Sequence, residues 1–448
     1  MKENKMGTME IKKLIMTMSI PIMISMLVQA LYNIVDSMFV AKVSQNALAA
    51  VSLCYPIQMI IVAVACGTAV GLNALLSRYL GQKKQQEANQ VALHGIVLAL
   101  FNWLIFSIIG IFFSDVFLRL FTQDQEILKM GISYMRICTL FSFGVFMQIT
   151  YERIMQATGN PIYNMIIQGL GALVNIALDP IFIFGLFGFP KLGVTGAAIA
   201  TVIGQIAAML LGILITRLKI KEVQIHFSQF KFQWQMIKDF YRIAIPAILM
   251  QSIMSFMTIF MNMILVTFSE VAVSVFSIYF KLQQFVFMAV NGMINALIPI
   301  VSYNYGAKKK ERITATISFT LKISYIIMIA GMLLFQFFPK ELLYLFNAEE
   351  EMLSIGVPAL RTISYSFVFA GISMILCSIF QALDHGMKSL IITLLRQMIL
   401  LLPSAYILAM TFGLNISWWA FPITEIICSC ISLLFLKIVK TTTIEQLE

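Results

Sequence analysis

The sequence predicts an all-α integral membrane protein of twelve transmembrane helices, arranged as two six-helix lobes related by a parallel pseudo-two-fold repeat. Three observations predict it: the composition, the apolar runs, and polar landmarks that recur at one fixed spacing. Of the 448 residues, 60% are apolar and 12% charged, and the mean hydropathy is +0.90. A soluble domain carries roughly 25% charged residues, and a globule of this length has too little interior for so much apolar surface. Soluble enzymes and nucleic-acid-binding proteins are therefore excluded. The net charge of +10 does not argue for an anionic partner, because the basic residues fall in short clusters between apolar runs.

A helix needs about 20 apolar residues to cross a bilayer. The qualifying runs are 14–40, 47–79, 91–113, 130–157, 161–187, 193–217, 236–267, 271–304, 313–338, 354–384, 388–411 and 416–438. The first is too long for a signal-peptide core and lacks a cleavage site, so it is expected to stay as a span. None shows the ten-residue alternation of a barrel strand. The six cysteines make no CxxC pair and the three histidines are scattered, so neither a metal cluster nor a cofactor is expected. HExxH, GxSxG and GxxxxGK[ST] are all absent from the sequence, so no enzyme and no direct nucleotide drive are expected.

Lys and Arg in the loops orient the chain. An N-terminus in the cytoplasm collects Lys2, Lys5, Lys12, Lys13, Arg78, Lys83 and Lys84 on that side. The same side takes the basic connection from Arg217 to Arg242, then Lys308, Lys309, Lys310, Arg312, Lys388, Lys437 and Lys440. The opposite loops hold only Lys42, Arg119, Lys129, Lys191 and Lys340. Both termini are thus expected inside, in a bacterial cytoplasmic membrane.

The repeat is the strongest organisational signal. Pro21, Gln58, Gly67, Ser77, Gly81 and Lys83–Lys84 recur as Pro246, Gln283, Gly292, Ser302, Gly306 and Lys308–Lys309, all at one constant offset. Phe121, Glu126, Gly131, Arg136 and Gln156–Ala157 recur as Phe346, Glu351, Gly356, Arg361 and Gln381–Ala382 at the same offset. Six spans per copy insert both copies in the same orientation. The expected domains are an N-terminal lobe at 1–217, a cytoplasmic linker at 218–235 and a C-terminal lobe at 236–448. Such a duplication points to alternating access around a central cavity. A channel would carry a filter sequence or a ring of like charges, and neither is visible.

Charges within a span are costly and are functional candidates by default. Asp36 shares a helical face with Gln29 and Asn33, and Asp179 shares one with Gln168 and Asn175. At 1.5 Å per residue, Asp36 lies roughly 33 Å and Asp179 roughly 27 Å from the inner ends of their spans. Thr201 lies roughly 12 Å down the sixth span, and Tyr134 is near the top of the fourth. These groups share the outer half of the first lobe. Asp179 precedes Pro180, so satisfying a kinked backbone is the competing role for it. Burial disfavours the charged form of a carboxyl, so such a group can take a proton from outside and release it inward. Equally, carboxylate and amide oxygens can coordinate sodium at Asp36, Asp179 and Asn175.

The second lobe places Met261 opposite Asp36, Thr258 opposite Asn33 and Ser404 opposite Asp179. It keeps a polar stripe of Gln251, Ser255, Thr258 and Asn262, and its intramembrane charges are Lys281, Arg396 and Glu425. Lys281 and Glu425 are a possible buried pair. The asymmetry assigns ion coupling to the first lobe. Gln29, Asn33, Gln168, Gln251 and Gln283 are the expected polar contacts of a substrate cleft. Thirty methionines and thirty-six phenylalanines suit an adaptable apolar cavity, although most of them should face lipid or pack between helices.

Several segments together resemble the multidrug and toxic compound extrusion (MATE) transporters over nearly the whole chain. They are Ser19–Ile20–Pro21, then Tyr32–Asn33–Ile34–Val35–Asp36, and Ala47–Leu48–Ala49–Ala50–Val51–Ser52. Gln156–Ala157–Thr158–Gly159–Asn160–Pro161 and Asn175–Ile176–Ala177–Leu178–Asp179–Pro180 complete the set. The first-span Asp and the Asn/Asp pair resemble the DinF-like branch, not the NorM-like branch with its acids in spans seven and ten. The resemblance implies that Asp36, Asp179, Asn175, Tyr134 and Thr201 form an N-lobe cation site. It also implies that Pro21 marks a helix bend and that Gln29 faces the cleft. The expected activity is export of cationic amphiphiles against entering protons or sodium, by a monomer in the bilayer. A flippase for a lipid-linked precursor is the alternative; it would need a strongly cationic cavity.

Overall fold

A computed structural model describes residues 4–346 and 348–447; Lys2, counted above for orientation, lies outside them. Among the described residues there is no strand, and the all-α class holds. The first copy comprises α1 Lys5–Thr8, α2 Ile11–Ala41, α3 Gln45–Gly81, α4 Gln85–Arg119, α5 Gln125–Leu140, α6 Phe143–Ala157, α7 Ile162–Phe184 and α8 Val194–Lys219. The second comprises α9 Trp234–Val266, α10 Glu270–Gly306, α11 Lys310–Phe337, α12 Pro339–Tyr344, α13 Glu350–Ser364, α14 Ser366–Ala382, α15 Gly386–Leu394, α16 Leu401–Phe412, α17 Leu414–Ser417 and α18 Ala420–Val439. Among the described residues, ten helical segments are long and apolar enough to cross a membrane, or up to twelve if each of two bent pairs is one span.

Those bent pairs are the runs 130–157 and 354–384, expected above as single spans. The first turns by 42° between α5 and α6, the second by 47° between α13 and α14. A bend frees backbone carbonyls that must find donors where no water is at hand. Trp103 Nε1 donates to Leu140 O at 2.8 Å and Ser107 Oγ to the same oxygen at 3.2 Å. In the second copy Gln336 Nε2 donates to Arg361 O at 2.7 Å. Side chains of the preceding span thus satisfy both breaks.

The duplication extends to individual contacts. Ser77 Oγ donates to Ala157 O at 3.2 Å, and its counterpart Ser302 donates to Ala382 O at 2.9 Å. A Cβ at Gly131 would meet Leu118, and one at its repeat partner Gly356 would meet Leu343, itself the partner of Leu118. Lys83 and Lys308 both adopt positive φ, at 60° and 56°. Gly159, at φ 84°, corresponds to Asp384, at φ 69°. Asp is among the few residues other than glycine that tolerate this region.

The chain divides into two compact units, Ile20–Ile248 and Met1–Ser19 with Leu249–Glu448. The borders fall inside α2 and α9, close to Pro21 and Pro246. In the first unit α2, α3, α4, α5, α7 and α8 pack around a core that includes Val40, Cys54, Leu118, Tyr134, Ile183 and Ala197. Large apolar side chains also point outward, Phe112 at 69% and Leu173 at 68% exposure, as lipid-facing surfaces do.

In the second unit Arg312 Nη2 donates to Met9 O at 2.7 Å and Asn304 Nδ2 to Met6 O at 3.0 Å, tying α1 to α10 and α11. A largely buried ion pair in this unit joins Arg396 Nε to Glu425 Oε1. The expected Lys281–Glu425 pair is therefore corrected: Lys281 Nζ lies 5.9 Å from the centre of the Phe346 ring instead. Arg396 sits in a π-helical turn, Leu395–Ile399, whose added residue re-aims the side chain toward α18. Removing one partner of a buried pair leaves an uncompensated charge, costing about 3–5 kcal/mol, whereas replacing both with apolar groups is often neutral. Arg396→Met is therefore expected to lower Tm sharply in detergent, and Arg396→Met/Glu425→Met to recover most of the loss in the same thermal scan.

Candidate cation-coupling site

Helical periodicity brings Asn175 and Asp179 onto one face of α7, one turn apart. That face meets α8 closely because the helices carry glycine where they touch. A Cβ at Gly204 would lie 2.8 Å from Gly171 O, and one at Gly196 would lie 2.5 Å from Phe182 O. Small residues let helix backbones approach in a membrane. The close approach sets Thr201 against α7.

Asn175 Nδ2 donates to Thr201 Oγ1 at 3.3 Å and, more weakly, to Asp179 Oδ1 at 3.5 Å. Asp179 is fully buried and Asn175, Thr201 and Tyr134 are also buried. From α2, Asp36 reaches the same place, and its carboxyl comes within hydrogen-bonding reach of the Asp179 carboxyl. Two carboxyl groups can share such a bond only if one proton lies between them. Asp36 Oδ1, Asp179 Oδ2 and Asn175 Oδ1 are buried with no protein donor. A cluster of acceptor oxygens without donors can hold a proton, and this oxygen set also fits a hard cation such as sodium.

Tyr134 stands at the rim of this cluster. Its hydroxyl accepts from Gln58 Nε2 at 3.1 Å, and Gln58 also reaches Cys138 Sγ at 3.7 Å. Tyr32 completes the surroundings, its hydroxyl interacting with Thr201 and with the Asp36 carboxyl. Five expected residues, Asp36, Asp179, Asn175, Thr201 and Tyr134, therefore gather within one unit. Tyr32, Gln58 and Cys138 were not foreseen as members. Tyr32 was legible in principle, since it precedes Asp36 by four residues and so lies on its face.

The expected cleft residues differ in exposure. Gln29 and Asn33 are exposed on α2, so the stripe expected with Asp36 splits. Asp36 and Tyr32 are half-buried where the two amides are exposed. Gln251 is exposed on α9 and Gln283 half-buried on α10. Gln168 is half-buried and donates through Nε2 to Glu152 Oε2 at 3.2 Å. Pro21 is buried, and α2 runs through it as one helix, Ser25 Oγ donating to Pro21 O at 2.9 Å.

A duplicated six-span bundle with donorless acidic oxygens buried in one copy is the build of a membrane transporter. The MatE family profile matches residues 21–181 and again 246–407, the second match starting at the repeat partner of the first. The chain belongs to the MatE family. It is 26% identical over 432 residues to the multidrug export protein MepA of Staphylococcus aureus (strain bovine RF122 / ET3-1), covering 96% of this chain and 94% of that one. MepA of Staphylococcus haemolyticus is 27% identical over 422 residues, covering 94% and 92%. Among solved structures, an outward-facing conformation of a multidrug resistance MATE family transporter superposes with TM-score 0.92 at 28% identity, covering 100% and 99%. A transporter of the MOP superfamily from Pyrococcus furiosus, described as having a binding pocket of reversed polarity, gives 0.91 at 28% identity, covering 99% of each chain.

Proposed function

We propose that this chain is a multidrug efflux antiporter that exports cationic amphiphiles in exchange for protons. The observation that carries the reading is the buried contact between the Asp36 and Asp179 carboxyls, flanked by neutral Asn175, Thr201 and Tyr134. With the shared proton gone, the pair carries two negative charges with no basic partner among its hydrogen bonds, which favours a cationic substrate. A proton entering from outside removes that attraction. Exclusion of one cation by the other couples the two fluxes, provided each binds the inward-open and outward-open forms unequally. Bending of α2 at Pro21 is the proposed step that accompanies protonation.

Sodium is the second reading, supported by the donorless oxygens of Asp36, Asp179 and Asn175. The flippase alternative needs free cationic groups for a pyrophosphate, and the Arg396–Glu425 pair argues against it by neutralising one of the few available. The proposed setting is a monomer in a bacterial cytoplasmic membrane with both termini in the cytoplasm.

Reconstituted vesicles test this directly. Wild type is expected to move ethidium uphill on an imposed proton gradient and to stop when that gradient alone is collapsed. Asp36→Asn is expected to lose the uphill movement. Dependence on a sodium gradient would replace the proton in the scheme, and unimpaired uphill transport by Asp36→Asn would overturn coupling at this site.

A further inference from the structure

The polar face of α7 does not end at Asn175. Two turns closer to its N-terminus it presents Gln168, which binds the buried carboxylate of Glu152 on α6. Glu152 is only 4% exposed. Its Oε1 accepts from Gln148 Nε2 at 3.0 Å and its Oε2 from Gln168 Nε2 at 3.2 Å. Gln168 Oε1 is buried and has no donor. Eleven residues separate Gln168 from Asp179, about 16 Å along the helix axis.

We propose that Glu152, held between the amides of Gln148 and Gln168, is a second proton-binding station of this lobe, distinct from the Asp36–Asp179 pair. The inference rests on the antiport reading and adds a site to it. The choice of partners is the argument. A carboxylate clamped by an arginine is locked in its charged form, because the guanidinium never gives up its proton; Glu425 with Arg396 is that case. A side-chain amide serves either state. Its N–H donates to the carboxylate, and after a half-turn of the amide its oxygen accepts from the carboxylic acid.

Gln168 has that second atom waiting without a donor. On loading, a proton from hydronium forms the Oε2–H bond of Glu152, and Gln168 Oε1 accepts it. On unloading, the bond breaks, the proton returns to water and the Gln168 amide turns back. The position equivalent to Glu152 in the second copy is Cys377, so the station belongs to one lobe.

The neighbouring groups leave this role open. Arg153, next in sequence, donates through Nη1 to Gln156 Oε1 at 2.8 Å, and its charge also acts on Glu152, whose carboxylate takes its hydrogen bonds from Gln148 and Gln168. Cys66 on α3 faces both Glu152 and Arg153. On α8, Arg217 lies toward Tyr151. On α4, His94 is taken up by Gln90 O and by the Gln233 amide.

The test counts protons released as tetraphenylphosphonium binds the purified protein in weakly buffered detergent, using a pH indicator. Wild type is expected to release protons, and Glu152→Gln about half as many per bound cation, because one of two stations is gone. Gln168→Leu removes a donor to the carboxylate and so favours its protonated form. The pH midpoint of binding is expected to move upward in that variant, a change that a purely structural Glu152 would not produce. Equal proton release by wild type and Glu152→Gln, or an unmoved midpoint in Gln168→Leu, would overturn the second station and leave the antiport reading standing. No proton release by wild type would instead sink the antiport reading. Should Glu152→Gln fail to fold, Gln168→Leu decides the question alone.

Discussion

Asp179→Asn is expected to abolish gradient-driven export, by tenfold or more on the scale of about 1.4 kcal/mol per tenfold, while leaving the fold intact. The substitution keeps the shape of the side chain. It removes the one thing the Asp36 contact depends on, a proton shared between two carboxyls. Asp179 is fully buried and its Oδ2 has no donor, so the native carboxylate is an uncompensated group that an amide relieves. Thermal unfolding in detergent should therefore show Tm unchanged or raised. Dye efflux from vesicles gives the other half of the result. If Asp179 only satisfied the backbone at Pro180, the variant would export at the wild-type rate with a lowered Tm. The two measurements move in opposite directions under the two roles.

Gly204→Ala is expected to damage both stability and transport, although it adds a single methyl group and changes no polar side chain. Its Cβ would lie 2.8 Å from Gly171 O and 3.1 Å from Asn175 Cβ. Backbone cannot swing aside as a side chain can, so α8 must move off α7. Overpacking of this kind costs about 1–3 kcal/mol. The displacement falls one turn from Thr201 and breaks its 3.3 Å bond from Asn175. Gly169→Ala is the matched control, since a Cβ there meets nothing within 4 Å. Alanine is favoured over glycine in a helix by about 1 kcal/mol, so the control should hold or gain stability. A fall in Tm and export confined to Gly204→Ala would assign the effect to helix separation. Equal behaviour of the two variants would refute it.

Much of the molecule is legible without coordinates. Twenty-residue apolar runs, the Lys and Arg clusters between them and the constant offset between repeated landmarks each follow from chemistry that acts along the chain. The two bends were not legible. Both runs read as apolar spans despite Arg136 and Arg361, and no proline lies at either break, Pro358 being six residues before the second. What permits each bend is a donor from another span, Trp103 in one copy and Gln336 in the other. Glu425 failed for the same reason. Lys281 and Arg396 were both available by type, and the π-helical turn at Leu395–Ile399 supplies the rotation that favours Arg396.

The candidate coupling site divides the same way. Asp36, Asn175, Asp179, Thr201 and Tyr134 could be picked out as buried polar groups at matched depth, because residue type and rise per residue are properties of one helix at a time. Sequence alone therefore determined the class of protein, its duplication and which lobe holds the acids. Only the tertiary structure decided which acids meet. It joined Asp36 to Asp179, left Gln29 and Asn33 exposed, and gave Gln168 to Glu152. The physical reason is that periodicity fixes the angle between side chains on a single helix. The rotation of one helix against another is set by where small residues, here Gly171, Gly196 and Gly204, let two backbones close.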